Sequence, residues 1–443
     1  MGGVSQFAVA AAGAATTVLL ARTSGPQGIR AYAVAQTLIL LLMVFSTLGL
    51  GLGIVYHVSA GRWAPQRALA ASRAVAVLTG SVAMSSAVLV RILAPGLMPG
   101  LSIADTIAAA SAVPFAVSWY LASYVALSIG EFGLYALPVA LQAGMVLCLV
   151  PTLGALCGTT GVVAGITCAH ALAGVVTGAS VHRRVHRLSA VSRGAEPGVL
   201  RAAICYGLKG NASNVLQFMN NRLDLLILNT AVAAAAVGQY AVAVAVTTVL
   251  WLAPQALGDV LLSRVSAQAV RDDAGNGETL LKIESRAMRH LVVITAALAA
   301  AAACFLIGLV PLIYGSAFRR SATLGLILLP GAALFGVSGL FVVAIEGRGR
   351  VGLSVARAVI VTPATILLYL TMIPRLGATG AALASTLSYA ASFVVASLQY
   401  RSVTGANPLL TMLPSRTEFQ DYVWLARGAR RRMFSSRASR AIV

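Results

Sequence analysis

Between Cys205 and Asn229, a stretch long enough to cross a membrane, Lys209, Ser213, Gln217, Asn220 and Asp224 follow one another at steps of four, four, three and four. On a helix of 3.6 residues per turn they share one face. Asn214 and Asn221 widen that face, and Arg222 points away from it. The chemistry such a set performs is binding. An ammonium or a guanidinium suits phosphate or carboxylate, the guanidinium often through two parallel hydrogen bonds, and amides suit hydroxyls. Polar groups in hydrocarbon must find protein partners or a wet cavity, so the stripe is expected to line an aqueous path. The structural alternative is that Arg222 and Asp224 pair between helices while Lys209 reaches to the membrane surface.

The elements that must hold this helix are declared by composition. The 443 residues are 59% hydrophobic and only 10% charged, with a mean hydropathy of +0.88. Soluble chains carry roughly 25% charged residues, so this is an all-α integral membrane protein. The net charge of +20, from 32 Lys and Arg against 12 Asp and Glu, would point to nucleic acid in a soluble protein. Here it lies in short loops and the tail, and no nucleic-acid partner is expected. Cys148, Cys157, Cys168, Cys205 and Cys304 fall in apolar runs without metal spacing and read as small packing residues. No Gly-rich phosphate loop ending in Gly-Lys-Ser/Thr occurs, so neither a nucleotide motor nor another cofactor is expected. The segment Val4 to Ala21 has no basic residue ahead of it and reads as a first span rather than a cleaved signal. No Ser/His/Asp grouping stands out, which disfavours an enzyme.

Apolar runs of about 20 residues fall at 4–21, 31–55, 74–93, 106–127, 134–156 and 162–181, then at 204–229, 241–262, 291–313, 323–345, 353–373 and 380–399. The loops on one side, with the tail, carry 23 of the basic residues, among them Arg62, Arg183, Arg264 and Arg348; the opposite loops carry 5, namely Arg22, Arg30, Arg319, Arg320 and Arg375. Positive charge stays inside, so both termini are expected in the cytoplasm of a multi-pass cell-membrane protein.

An internal repeat is visible. Tyr32-Ala33-Val34-Ala35 opens the second span and Tyr240-Ala241-Val242-Ala243 the eighth. Both spans pass a glycine, Gly51 or Gly258, and leave through Val58-Ser59-Ala60 or Val265-Ser266-Ala267. Gly158-Thr159-Thr160-Gly161 and Gly377-Ala378-Thr379-Gly380 introduce the sixth and twelfth spans. Matching positions lie 207 to 219 residues apart, so the unit is six helices in the same orientation. The expected division is a six-helix bundle over 1–181, a basic cytoplasmic linker over 182–203, a second bundle over 204–400 and a basic cytoplasmic tail over 401–443. Basic loops and tail suit anionic membrane lipids; docking of a partner enzyme is the sharper alternative for the tail. Pro114, Pro138, Pro254, Pro330 and Pro363 fall inside spans, where they bend helices.

Other ionisable groups are few. Arg91 and Arg357 sit close enough to span ends to reach water, and in the first half Asp105 and Glu131 lie at loops. A cation antiporter needs an acid within the membrane for its coupling ion; Asp224 is the deep one, and Arg222 or Lys209 compensates it. His57 and His170 read as packed side chains.

Arg222-Leu223-Asp224-Leu225-Leu226-Ile227-Leu228 followed by Val237-Gly238-Gln239-Tyr240-Ala241 resembles the polysaccharide flippases. These are Wzx-like proteins, of O-antigen or teichoic acid type, in the multidrug/oligosaccharidyl-lipid/polysaccharide exporter superfamily. Arg22-Thr23-Ser24-Gly25-Pro26 before Tyr32-Ala33 is similar to the same signature after the first helix, but Arg30 stands where a glycine usually precedes the tyrosine. Leu376 to Ala382 is similar to the family's approach to its last helix, and the resemblance spans roughly residues 5 to 400. It implies two six-helix bundles around a central cationic cavity that opens alternately to either side. It implies an undecaprenyl-diphosphate-linked oligosaccharide as substrate, flipped for cell-surface polysaccharide biosynthesis, and glycosyltransferases or a polymerase as partners. Lys209 and Arg222 are then candidates for the diphosphate, and Asn214, Gln217 and Asn221 for sugar hydroxyls, with Asp224 completing the substrate-binding set. Lipid II flippases resemble the chain too, but usually add two C-terminal helices. The competing expectations are a cation-coupled drug or metabolite antiporter, which the missing first-half carboxylate disfavours, and a non-transporting scaffold for glycosyltransferases.

Overall fold

A chain this apolar must satisfy its backbone hydrogen bonds inside each segment, and among the described residues every regular element is helical. The structure, a computed structural model, describes residues 2–97, 100–187, 198–255, 257–258, 261 and 277–413. Side chains 2–8, 97, 209–210, 212–214, 277–279 and 351 lie outside the description. The principal helices are α1 (Gly2–Ser46), α2 (Leu50–Ser59), α3 (Pro65–Leu93), α4 (Ile103–Ser128), α5 (Phe132–Arg187) and α6 (Val199–Ala231). They continue with α7 (Ala234–Thr247), α8 (Gly277–Cys304), α9 (Val310–Tyr314), α10 (Arg319–Gly347), α11 (Val351–Thr404) and α12 (Pro408–Met412). Among the described residues, eight stretches are long and apolar enough to cross a membrane.

Three of these stretches are double. α1 breaks at Gly25 (φ 61°), α5 at Gly158 (φ 62°) and α11 at Gly377 (φ 57°), each in a backbone conformation that side chains other than hydrogen resist. Divided there, and joined by α6, whose polar residues leave only Val199–Leu208 continuously apolar, the stretches give the twelve expected segments. The repeat motifs share their geometry. A Cβ at Gly161 would collide with the Leu153 carbonyl and one at Gly380 with the Met372 carbonyl, so both glycines let the chain double back closely after the break. Residues 188–197 of the linker, the loop residues 262–276 and the tail beyond 413 lie outside the described residues.

Contacts group the chain into two units. The first holds Met1–Val249, Ala302–Ala332 and Val355–Tyr389; the second holds Leu250–Ala301, Ala333–Ser354 and the described residues of Ala390–Val443. The boundaries fall within α8, α10 and α11, whereas the expected division at 182–203 follows the repeat. In the first unit α4 is the centre, with Ala109, Val113, Val117 and Leu121 fully buried. Small residues set its helix spacing, as expected where apolar surfaces gain little from leaving lipid: Gly80 lies against Pro114 and Gly174 against the Phe115 carbonyl. The cysteines differ from expectation. All five are exposed on the helices' outer surfaces rather than packed inside, where apolar thiols suit a lipid face as well as a core.

The second unit packs Met288, Leu291, Leu340, Phe341, Ala344 and Tyr400 into a buried cluster. Beside it Glu284, fully buried, is gripped by both terminal nitrogens of Arg348 and accepts from the Tyr400 hydroxyl at 3.0 Å. Removing one member of a buried ion pair leaves the other charge without compensation. Glu284→Ala is therefore expected to destabilise the protein by about 3–5 kcal/mol in chemical denaturation of the purified protein, and Glu284→Gln by less. For topology, the exposed Arg320 and Ser402 are suitable reporters. With the native cysteines replaced, Arg320→Cys is expected to react with an impermeant maleimide from outside the cell, and Ser402→Cys only after permeabilisation; the reverse pattern inverts the orientation.

Candidate functional site

α6 is fixed at both ends by first-half residues of the same unit. Near its start, backbone meets backbone: a Cβ at Gly49 would strike the Gly207 carbonyl, and one at Gly53 the Ala203 carbonyl. Gly49 has φ 65°, so glycine there serves both the turn and the contact. Asn211 Nδ2 donates to the Val44 carbonyl at 3.2 Å, closing the same junction. Near the other end Arg30 Nε donates to Asn229 Oδ1 at 2.7 Å, and Gly238 just beyond packs on the Pro26 carbonyl.

The polar face of α6 meets a second polar face, on α11. Arg357, Thr362, Thr365 and Tyr369 recur at steps of five, three and four, and Ser385 and Ser388 follow after the Gly377 break. Together they form a ladder. Arg357 Nη2 reaches Gln217 Oε1 at 3.4 Å, and Gln217 Nε2 donates to Asn221 Oδ1 at 3.3 Å. One turn on, Asn220 Oδ1 accepts from Thr365 Oγ1 at 2.6 Å and from Ser388 Oγ at 3.0 Å, while its carbonyl accepts from the Tyr369 hydroxyl at 3.3 Å. One turn further, Asp224 Oδ2 accepts from the Tyr240 hydroxyl at 2.5 Å and Oδ1 from the Leu225 amide at 2.7 Å. Ser385 Oγ stands between the Tyr240 and Tyr369 hydroxyls at 3.2 and 3.1 Å. Such satisfaction is what a polar group in a low-dielectric interior requires.

The expected substrate-binding residues therefore divide. Asp224 and Asn220 are 3% and 4% exposed, with their oxygens engaged by protein donors, so in this conformation Asp224 meets protein rather than ligand. Gln217, Asn221 and Arg222 are half-buried. Arg222 lies near enough to Asp224, Tyr32 and Tyr389 to act on them electrostatically. The side chains of Lys209 and Asn214 lie outside those described. Arg357 is a correction. It is only 7% exposed and joins Gln217 instead of reaching water, because the polar face of α6 gives it a partner inside. Its own face of α11, polar at helical spacing in an apolar segment, is the sequence signal that would have found it.

Several other titratable groups make structural contacts. Asp105 forms a capping box with Ser102 at the start of α4, and Glu131 pairs with Arg184 at 2.5 Å. His170, 1% exposed, accepts from Trp119 Nε1 at 3.4 Å. His182 and His186, a turn apart at the end of α5, meet ring to ring at 4.2 Å beside Arg183 and Arg184, a cationic setting that disfavours a metal ion. Among the described residues no cluster of metal-ligating side chains occurs. Membrane hydrogen bonds couple by about 0.6 kcal/mol on average and up to about 1.7. In a double-mutant cycle, Asn220→Ala and Thr365→Val are expected to couple near the upper figure in unfolding of the purified protein, because one amide oxygen serves two donors.

No protein-family model matches the chain, and among curated proteins no relative is found. Solved structures do match. The lipid II flippase MurJ in an inward closed conformation superposes with a TM-score of 0.73 at 13% identity, over 92% of this chain and 88% of MurJ. An inward-facing multidrug resistance MATE transporter of the MOP superfamily gives 0.65 at 16% identity, over 89% and 94%. A point mutant of the Vibrio cholerae MATE transporter VcmN gives 0.59 at 13% identity, over 90% and 99%. At these identities the likeness is one of architecture: the chain has the twelve-helix fold that MurJ shares with the MATE transporters of the MOP superfamily.

Proposed function

We propose that the protein flips a lipid-linked oligosaccharide, of undecaprenyl-diphosphate type, across the cytoplasmic membrane by alternating access, in the biosynthesis of a cell-surface polysaccharide. One observation carries this reading: the sign of the charge inside the helices. Arg357 is held within the polar junction of α6 and α11 and Arg222 lies half-buried on α6 near Asp224, whereas both described first-half carboxylates, Asp105 and Glu131, are used up at helix ends. A cationic interior favours an anionic headgroup. The fold, common to a lipid II flippase and to multidrug transporters, is compatible with such cargo. In this reading Arg222, with Lys209, takes the diphosphate, and Gln217, Asn221 and Asn214 take sugar hydroxyls. Asn220 and Asp224 hold α6 against α11 and α7, keeping that face in register.

A second reading, cation-coupled antiport of a drug or metabolite, has one point in its favour, the buried carboxylate of Asp224. The two separate experimentally. A charge-assisted contact is worth about 1.5–3 kcal/mol, so Arg222→Gln is expected to weaken headgroup binding by about ten- to a hundredfold. Cells carrying it, or Lys209→Ala with Arg222→Ala, should accumulate lipid-linked intermediates on the inner leaflet while the protein stays folded in the membrane. Unchanged export with normal protein levels removes these residues from the site. Drug resistance lost in place of export selects the antiporter.

A further inference from the structure

We propose that the cavity lined by Gln27, Arg30, Gly100 and Thr159 is a binding subsite for a small oxyanion, a phosphate or carboxylate group, with Arg30 as its cation. The cavity has a volume of 270 Å³, and its walls include Gln27, Arg30, Gly100, Leu101, Thr159 and Ala234, all in the first unit. Pockets for whole organic ligands run to about 300–1,000 Å³, so this one holds a single charged group rather than an oligosaccharide.

The walls are built for that. Arg30 is oriented by its Nε hydrogen bond to Asn229, itself 2% exposed, which removes much of the cost of ordering a long side chain on binding. Gly100, with φ 82°, brings a loop backbone against the guanidinium, and a Cβ there would overlap it. That loop is fixed in turn: Arg91 Nε donates to the Leu101 carbonyl at 3.0 Å, and the capping box of Ser102 and Asp105 follows. Gln27 and Thr159 add neutral donors, and no carboxylate belongs to the lining, so the cavity is net positive. A planar guanidinium fork matches an oxyanion better than any other small ligand. Arg30 also stands where the flippase signature would place a glycine, so the cation belongs to this chain rather than to the shared pattern.

The proposal deepens the flippase reading in one respect only, the identity of the oxyanion as part of the transported lipid; the subsite itself does not depend on it. The test uses the full chain with its five cysteines replaced by serine and the exposed Thr159→Cys added at the cavity wall. In detergent, a sulfonate-bearing methanethiosulfonate should modify this cysteine about tenfold faster than a trimethylammonium one, because a cationic cleft concentrates anions. Inorganic phosphate should slow the reaction, Arg30→Gln should abolish both effects, and Ala234→Leu, which narrows the cavity without touching the cation, should slow both reagents. Equal rates for the two reagents, insensitive to phosphate, overturn the proposal, and this comparison decides even where Arg30→Gln fails to fold. In nanodiscs, each source of the group has its own signature. Protection by phosphate in phosphatidylcholine marks a soluble anion, protection in phosphatidylglycerol without phosphate marks a lipid headgroup, and protection by an undecaprenyl-diphosphate oligosaccharide marks the cargo. An Arg222→Gln protein that keeps this signature while export is unaffected sinks the flippase site and leaves the oxyanion subsite standing.

Discussion

The structure depends on the requirement that polar atoms in a membrane interior be satisfied by the protein itself. α6 carries more polar side chains than lipid would tolerate, and its neighbours answer it turn by turn: from α11, Arg357 at Gln217, Thr365 and Ser388 at Asn220 and Ser385 at Asp224, and from α7, Tyr240 at Asp224. Each unanswered group would cost several kcal/mol in hydrocarbon, whereas each answered one contributes only about 0.6 kcal/mol on average. The ladder is thus weak as glue and strong as a constraint. It selects one register of α6 on α11 and disfavours others, and that register determines which side chains stay only half-buried.

Glycine does the complementary work. Where α6 passes α2, the contact is backbone on backbone through Gly49, Gly53 and Gly207, and where the double helices turn, Gly25, Gly158 and Gly377 take conformations closed to other residues. Close approach of this kind replaces the hydrophobic driving force that lipid removes. It also leaves the polar face of α6 free to meet α11, since its small-residue positions are used on α2. In the second unit, Glu284 with Arg348 and Tyr400 plays a fixing role through charge instead.

Much of this is legible in the sequence, for physical reasons. Spans are read from length and hydropathy because the bilayer sets both, and among the described residues the expected segments fall on helices or on arms of broken ones. The stripe on α6 is read from helical periodicity. What periodicity on one helix does not show is who answers it: Asn220 and Asp224 carry the same face as Gln217, yet only tertiary partners distinguish a buried lock from a half-buried contact. Arg357 escapes because its distance from a span end allows it to reach water, and only the packing of α11 on α6 brings it to Gln217. Arg30 escapes because a loop assignment from charge does not reveal that a glycine at 100 wraps backbone around it. The cysteines mislead because a small apolar side chain reads alike against lipid and in a core.

The proposed cargo is an anionic headgroup drawn along α6 while its lipid tail stays in the bilayer, and the half-buried Arg222 is the residue on which that proposal turns. The most direct measurement is flipping by the purified protein in liposomes. An undecaprenyl diphosphate bearing a fluorescent disaccharide is incorporated in both leaflets, and an impermeant reductant is added outside. The account predicts that quenching proceeds past the outer-leaflet fraction when the protein is present, and that Arg222→Gln slows this second phase. Quenching that stops at the outer-leaflet fraction in well-folded, correctly reconstituted protein contradicts it.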